Sequence, residues 1–439
     1  MKKYNNYKDS GIEWIGEIPE DWKISRIGYN SILTVPQRDK PKELTGEVPW
    51  LRIEDFEGKY VSTSKSGQGV SLETISEMNL KVYPIGTVLT ACSCTMGKTA
   101  IVEKPLITNQ TFIGITPNEK LHTDFLYYFL LSSTQYLNSI STGAIQSYLS
   151  RDEFSKIRIP LPDKFIQIEI ANYLDHKTTQ IDNLIAKKEQ FITLLQEERT
   201  AVINQAVTKG LDPTVKMKDS GIEWLGEIPE HWEEARIKNV VKIIGRIGFR
   251  GYTTEDLVQK GEGAISLSPS NIKNHILNIE DCTYLSWEKY HESPEIKIFE
   301  NDIILVKTGS TIGKVAIIPS HTPEMTLNPQ LVVFKDIKLN QLFLYYMMVS
   351  NYFQGYFSVY TAGGSTPAIS QEKINNFKIT FPKIEEQINI SNFISKKEIE
   401  IKNIISKTQQ EIELLKEYKT ALISEVVTGK VDVRDVVLN

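Results

Sequence analysis

A chain of 439 residues with 41% hydrophobic residues and a net charge of −5 has the length of two or three domains and an ordinary globular composition. Its longest apolar runs, such as Phe343–Val349, are too short to span a bilayer, and Met1–Asn6 lacks the apolar core of a secretory signal, so no membrane association and a cytoplasmic location are expected. Three cysteines, Cys92, Cys94 and Cys282, are too few for a disulfide framework, and Cys92-x-Cys94 has no second ligand pair for zinc.

The segment from Lys8 to Trp22, KDSGIEWIGEIPEDW, returns as KDSGIEWLGEIPEHW from Lys218 to Trp232. The offset is 210, and only Ile15/Leu225 and Asp21/His231 differ. Such a repeat means the molecule is built twice. The charge is also divided. Residues 23–164 carry 16 basic and 14 acidic side chains and residues 233–383 carry 16 and 15, so both lean positive while the remaining pieces are acidic. That permits basic loops on the two middle segments.

Residues 23–164 read as mixed α/β. Gly86–Ala91 and Lys98–Val102 have the pattern of strands around a tight loop, Leu121–Asn138 has helical periodicity, and the polar loop Ser141–Tyr148 follows. Ile157–Pro162 then closes the segment with two prolines.

From Ile166 to about Lys209 there is no Pro or Gly, and Gly210 and Pro213 supply a stop signal, which predicts one long helix. Its apolar seam, Leu174, Ile181, Ile185, Ile192, Leu195, Val202 and Ala206, steps in sums of the coiled-coil a/d spacing. At 1.5 Å per residue such a helix is a rod of roughly 65 Å.

Residues 233–383 repeat the plan of 23–164 with little shared sequence. Thr95–Lys98 corresponds to Thr311–Lys314, Phe125–Tyr128 to Phe343–Tyr346, and Ser141–Gly143 to Thr361–Gly363. The offset grows from 210 to 220, and a second helix with the seam Ile394, Ile401, Ile405, Ile412, Leu415, Leu422 and Val426 ends at Gly429. Two such helices are expected to pack antiparallel on their seams.

Catalytic motifs fail one by one. Gly97-Lys98-Thr99 and Gly309–Lys314 resemble a phosphate loop, but the earlier glycine it needs is replaced by Cys92 and Thr308. Gly261-Glu-Gly263 runs on to Ser266, which breaks the dinucleotide fingerprint. Asn328-Pro-Gln-Leu331 lacks the second proline and the aromatic of an amino-methyltransferase motif, and Asn109-Gln110 lacks the proline altogether. The histidines show no ligand spacing. A non-catalytic chain is expected.

The repeated motif at 8–22 and 218–232, the two variable globular segments, the two similar helices and Pro382–Ile388 together resemble the specificity (S, or HsdS) subunits of type I restriction–modification systems across essentially the whole chain. Pro162–Gln167 keeps Gln167 but carries Ile166 where that family often has Glu. The resemblance implies an α/β (α+β) fold of two target recognition domains joined by two long antiparallel helices with pseudo-two-fold symmetry. Its implied divisions are an N-terminal motif (1–22) closing on the C-terminal helix, recognition domain 1 (23–164), helix 1 (165–210), a repeated motif (211–232), recognition domain 2 (233–383), helix 2 (384–430) and a tail (431–439). It further implies a DNA sequence-specificity subunit that reads a bipartite site in double-stranded DNA. Two methyltransferase subunits and restriction (translocase and nuclease) subunits would be its partners. S-adenosylmethionine, ATP and Mg would bind those partners, leaving this chain with no cofactor, metal or catalytic residue.

Readers of DNA are expected among polar loop residues at equivalent places. The first group is Ser93, Thr95 and Lys98 against Ser310, Thr311 and Lys314; the second is Gln146, Ser147, Tyr148 and Arg151 against Ser365, Thr366 and Gln371. Arg38, Lys65, Arg246 and Arg250 are expected phosphate partners. The competing reading is a coiled-coil scaffold protein with two protein-binding heads.

Overall fold

The computed structural model describes residues 2–37, 39–93, 96–141, 148–222, 224–246, 248, 251–361 and 367–437, with backbone alone for 359–361. The chain forms two compact units, Met1–Glu189 with Gln409–Asn439, and Gln190–Thr408.

In the first unit the strands are β1 (Ser31–Thr34), β2 (Val48–Leu51), β3 (Tyr60–Val61), β4 (Gly69–Val70), β5 (Val88–Ala91), β6 (Thr99–Val102), β7 (Ile107–Thr108) and β8 (Phe112–Pro117). They make a five-stranded sheet β1-β8-β5-β6-β3 and a three-stranded sheet β7-β2-β4. Every residue of β5 and β6 is buried. Their continuous apolar runs therefore suit a strand covered on both faces, one of them by helix α1 (Thr123–Ser132), in which Phe125, Leu126, Phe129 and Leu130 are fully buried. The helix predicted over Leu121–Asn138 is broken. Ser133 leaves helical geometry, donates its hydroxyl to the Leu130 carbonyl, and a separate helix Thr134–Ile140 follows.

The second unit repeats this with β9 (Lys242–Gly245), β10 (Gly263–Leu267), β11 (Thr283–Ser286), β12 (Ile303–Val306), β13 (Val315–Ile317), β14 (Met325–Leu327) and β15 (Leu331–Lys335). The sheet β9-β15-β12-β13 matches β1-β8-β5-β6, and the parallel pair β10–β14 matches β2–β7. Each globular segment leaves and returns on one antiparallel ribbon, Lys23–Arg26 with Arg158–Leu161 and Glu233–Arg236 with Lys378–Phe381.

The long helices are α2 (Lys164–Lys209) and α4 (Ile384–Val427), each reached shortly after its globular segment; α3 (Gln341–Val349) is the counterpart of α1. Their seams are buried at Leu174, Ile181, Leu195, Ala206, Ile394, Ile401, Ile412, Leu422 and Val426. Helix pairing is antiparallel. In the first unit Lys419 pairs with Asp182 at 2.7 Å and Lys188 with Glu411 at 2.5 Å. In the second, Arg199 Nε donates to Glu398 Oε1 at 2.7 Å. The seam also serves the globular segments, because Ile170 and Leu174 share a core with Phe125 and Phe129.

A buried glutamine fixes each segment on its helix. Gln167 accepts from His122 N at 2.7 Å and donates to the Lys120 and Pro162 carbonyls at 3.0 and 2.8 Å. Gln387 accepts from Asn340 N and donates to the Pro382 carbonyl, both at 2.8 Å. Buried amides satisfied at both ends specify one orientation rather than a range.

The repeated motif is a hairpin that covers a helix end. Tyr7–Asp9 pairs with Glu17–Pro19, and Met217–Asp219 with Glu227–Pro229, in the same register. Ile12, Ile15, Ile18 and Trp22 share a core with Leu422, Val426 and Val427 at the end of α4. Ile222, Ile228 and Trp232 do the same with Ile203, Ala206 and Val207 at the end of α2. Both helices stop at a left-handed glycine, Gly210 (φ 72°) and Gly429 (φ 77°). Among the described residues no helix is long and apolar enough to cross a membrane.

Candidate nucleic-acid interface

In the first unit the loops at one end of the two sheets enclose a cleft of about 610 Å³ lined by Lys40, Trp50, Arg52, Ser93, Asn109, Gln110, Thr111 and Tyr148. Backbone hydrogen bonds build it. Asn109 N donates to the Leu51 carbonyl at 3.2 Å, Cys92 N to the Thr111 carbonyl at 2.9 Å, and Leu149 N to the Cys92 carbonyl at 2.9 Å. A β-bridge joins Ser93 to Tyr148. Arg52 N donates to Asp55 Oδ2 at 2.6 Å, which holds the turn after β2, and Thr111 Oγ1 donates to Asn109 Oδ1 at 2.6 Å.

The same frame stands in the second unit. Asn328 N donates to the Leu267 carbonyl at 2.9 Å, Lys307 N to the Gln330 carbonyl at 2.8 Å, and Ile369 N to the Lys307 carbonyl at 2.9 Å. Thr308 bridges Ala368, and Ser268 N donates to Asn271 Oδ1 at 2.9 Å. The backbone pattern is common to both units while the side chains differ. Arg52 becomes Ser268, Cys92 becomes Lys307, Ser93 becomes Thr308 and Tyr148 becomes Ala368. Asn109 and Asn328 are kept, as are Leu51 and Leu267 whose carbonyls accept from them.

Of the predicted readers, Ser93 and Tyr148 lie in the first cleft. Arg151 is exposed at the start of the short helix just beyond it. The structural counterpart of Ser93 is Thr308 rather than Ser310, because the turn between β12 and β13 holds one more residue than that between β5 and β6. Ser310 is exposed and Thr311 half-buried in that turn.

Lys98 is not in the cleft. It lines a different cavity of the first unit, of about 860 Å³, with Lys59, Tyr128 and Asp175. Lys314 lies close enough to His275 for its charge to help lower that imidazole's pKa. Gln371 spends its amide on the Ile243 carbonyl. Lys65 is exposed and ion-paired with Glu57.

Arg246 departs most from expectation. It is 7% exposed, donates from Nε to the Leu327 carbonyl at 2.9 Å and from Nη2 to Thr326 Oγ1 at 3.1 Å, and lies over the Tyr252 ring. A buried guanidinium tied to β14 is a brace for the sheet, and it corrects the expectation of a solvent-facing phosphate partner. Thr95, Gln146, Ser147, Ser365, Thr366, Arg38 and Arg250 lie outside the described residues.

Beyond the predicted readers, the cleft is lined by Lys40, Arg52, Asn109 and Gln110, and Thr308 and Gln330 stand on the corresponding frame of the second unit. The shared Asn109 and Asn328 are the signal the sequence carries for this frame, and in sequence alone they read only as a failed methyltransferase motif. The residue types suit base reading: amides match the adenine edge and a guanidinium the guanine edge, while lysine suits a phosphate. The Tyr148 hydroxyl, its pKa raised by burial, remains a donor. Burial pushes the Cys92 thiol up to about 11, which makes it a poor nucleophile. Among the described residues no group of three or more His, Cys, Asp or Glu is placed to hold a metal ion.

Comparison with known proteins agrees with this architecture. Residues 19–194 and 229–414 match the type I restriction modification DNA specificity domain. The MjaVIII specificity subunit of Methanocaldococcus jannaschii is 25% identical over 435 residues, 95% of each chain. The EcoBI specificity subunit of Escherichia coli is 24% identical over 78% of this chain and 71% of its own. In fold, the chain is similar to the HsdS subunit of Thermoanaerobacter tengcongensis, with a TM-score of 0.56 at 15% identity over 94% of this chain and 98% of that one. It is also similar to a chain from a type I R-M system structure, with a TM-score of 0.64 at 16% identity over 93% and 98%.

Proposed function

The chain belongs to the type I restriction modification DNA specificity domain family, and from that premise we propose that it is the non-catalytic DNA sequence-specificity subunit of a type I restriction–modification enzyme. Residues 23–164 and 233–383 each read one half of a bipartite site in double-stranded DNA. Residues 165–210 and 384–430 hold the two readers at a set separation. Segments 1–22 and 211–232 are clasps on the helix ends, and 431–439 is a tail. Two methyltransferase subunits dock on this frame and bring S-adenosylmethionine; restriction subunits bring ATP and Mg. The work takes place in the cytoplasm, with the DNA.

The observation that carries this reading is one backbone frame bearing two sets of side chains. A shared frame presents its loops to the same kind of surface, and exchanged side chains read different base edges there. A scaffold with two protein-binding heads gives no reason for a polar, cation-bearing cleft on the first unit's frame, nor for the same frame in the second with Lys307 and Gln330 on it. Half-sites must also lie a fixed distance apart for both readers to meet the proper groove face, which continuous helices provide.

The test is selection of random duplexes by the full chain assembled with its methyltransferase partner. Two short specified tracts separated by a fixed unspecified spacer are expected. A single tract, or no sequence preference, would contradict the proposal.

A further inference from the structure

We propose that Lys59 is a positioning residue that fixes the angle of the first recognition domain on helix α2, and through it the spacer length at which the first half-site is read. The inference rests on the DNA-specificity reading above. Lys59 follows Gly58 (φ 74°) in the turn before β3, and its carbonyl accepts from Ile101 N of β6 at 2.8 Å. The lysine backbone is thus part of the recognition domain's sheet.

Its side chain, only 15% exposed, reaches out of that domain. Nζ pairs with Asp175 Oδ1 of α2 at 2.5 Å and also with Asp124 in the first turn of α1. Tyr128 donates its hydroxyl to the same Asp175 oxygen at 2.5 Å. The ammonium also lies over the rings of Tyr60, Tyr127 and Tyr128, at 5.3, 5.8 and 5.3 Å.

Lysines are rarely withdrawn from water unless paired, and a buried ion pair contributes orientation more than stability. Burial here opposes the charge, yet the bonds to Asp124 and Asp175 outweigh it and leave the pKa raised. One cation therefore ties three elements, the sheet, α1 and α2, with directional contacts.

The second unit lacks this arrangement. The equivalent turn holds Asn274 and His275, with φ of 51° and 64°. His275 Nδ1 accepts from Val315 N at 3.3 Å, and its carbonyl accepts from the Tyr345 hydroxyl at 2.9 Å. Leu342 and Ser395 occupy the places of Asp124 and Asp175. Removing the charge at 59 should therefore loosen one recognition domain and leave the other as it was.

The experiment uses the full chain with its methyltransferase partner and duplexes carrying both half-sites at the native spacer or one base pair longer or shorter. The variants are Lys59→Met, which keeps the volume without the charge, and Asp175→Asn, which keeps an acceptor for Tyr128. The expected result is that wild-type preference for the native spacer falls about 5- to 10-fold in both variants, with base preference inside each half-site unchanged. Spacer preference unchanged in folded variants, or binding weakened equally at all three spacers, overturns the inference. Failure of the wild type itself to select DNA by sequence would instead overturn the functional reading.

Discussion

The indole N–H of Trp232 donates to Glu386 Oε1 at 3.1 Å, while the equivalent indole of Trp22, equally buried, has no hydrogen-bond partner among the described residues. Two substitutions between the repeats account for this. Glu386 occupies the position of Ile166, and its other oxygen meets His231 Nε2 at 2.9 Å, where the first copy has Asp21. A glutamate at 166 would face an aspartate, so the apolar residue and the acid go together.

Glu386→Ile should leave the Trp232 N–H buried without an acceptor and lower the stability of the second unit by about 1–2 kcal/mol. Ile166→Glu should gain little alone at neutral pH but become stabilising with Asp21→His. Denaturant unfolding of the two single variants and the double variant measures that coupling. Additive effects would contradict the account.

The two helix-stop glycines should differ in tolerance. A Cβ at Gly429 would lie 2.3 Å from Pro19 Cδ and 2.7 Å from Cγ, whereas at Gly210 the nearest atom is Glu386 Oε1 at 3.3 Å. Both have positive φ, so each substitution costs about 1 kcal/mol in backbone strain. Gly429→Ala should add overpacking of about 1–3 kcal/mol and displace the N-terminal hairpin from helix α4. Thermal melts, with proteolysis of the N-terminus as a local probe, separate the two variants.

His275 predicts a pH dependence. Burial, with Arg199 and Lys314 adding to it, lowers its pKa from 6.5 to about 4. The unfolded chain then binds more protons than the folded one between these values, so stability rises with pH across that window and is fully present above 6.5. The loss on acidification should be on the order of 3 kcal/mol. His275→Asn, which tolerates the left-handed backbone, should flatten the pH 4–6.5 limb of the stability curve, although it lowers stability at pH 7 through the lost bond to Val315.

Gln110 and Gln330 are exposed amides on the turn that carries the shared asparagine in each frame, Gln330 standing at the place of Thr111. Gln110→Ala should relax base preference at one position of the first half-site by about 1–3 kcal/mol, and Gln330→Ala at one position of the second. Competition binding with base-substituted duplexes is the readout. A uniform loss across all duplexes would assign these side chains to phosphate contacts instead.

Much of the fold was legible because it rests on periodicity. The seams of α2 and α4, their glycine stops, and the mixed α/β segments follow from local patterns that packing preserves. The break at Ser133 was not legible, since the apolar spacing runs through it and only the backbone of that one residue, at ψ 3°, leaves helical geometry. The interface was legible only in part. Aligning Gly97-Lys98 with Gly313-Lys314 cannot reveal on which side of the turn the additional residue lies, and long-range bonds to Thr111 and Gln330 decide that Ser93 matches Thr308. Arg246 looked like a surface cation because Thr326 and Leu327, which hold it, are some eighty residues away in the chain.

The most direct test of the central claim is exchange of residues 23–164 for the corresponding segment of another specificity subunit, followed by mapping of methylated sites in cells that carry the hybrid. The account predicts that one half-site changes while the other half-site and the spacer stay as they were. A hybrid that changed both half-sites, or neither, would contradict it.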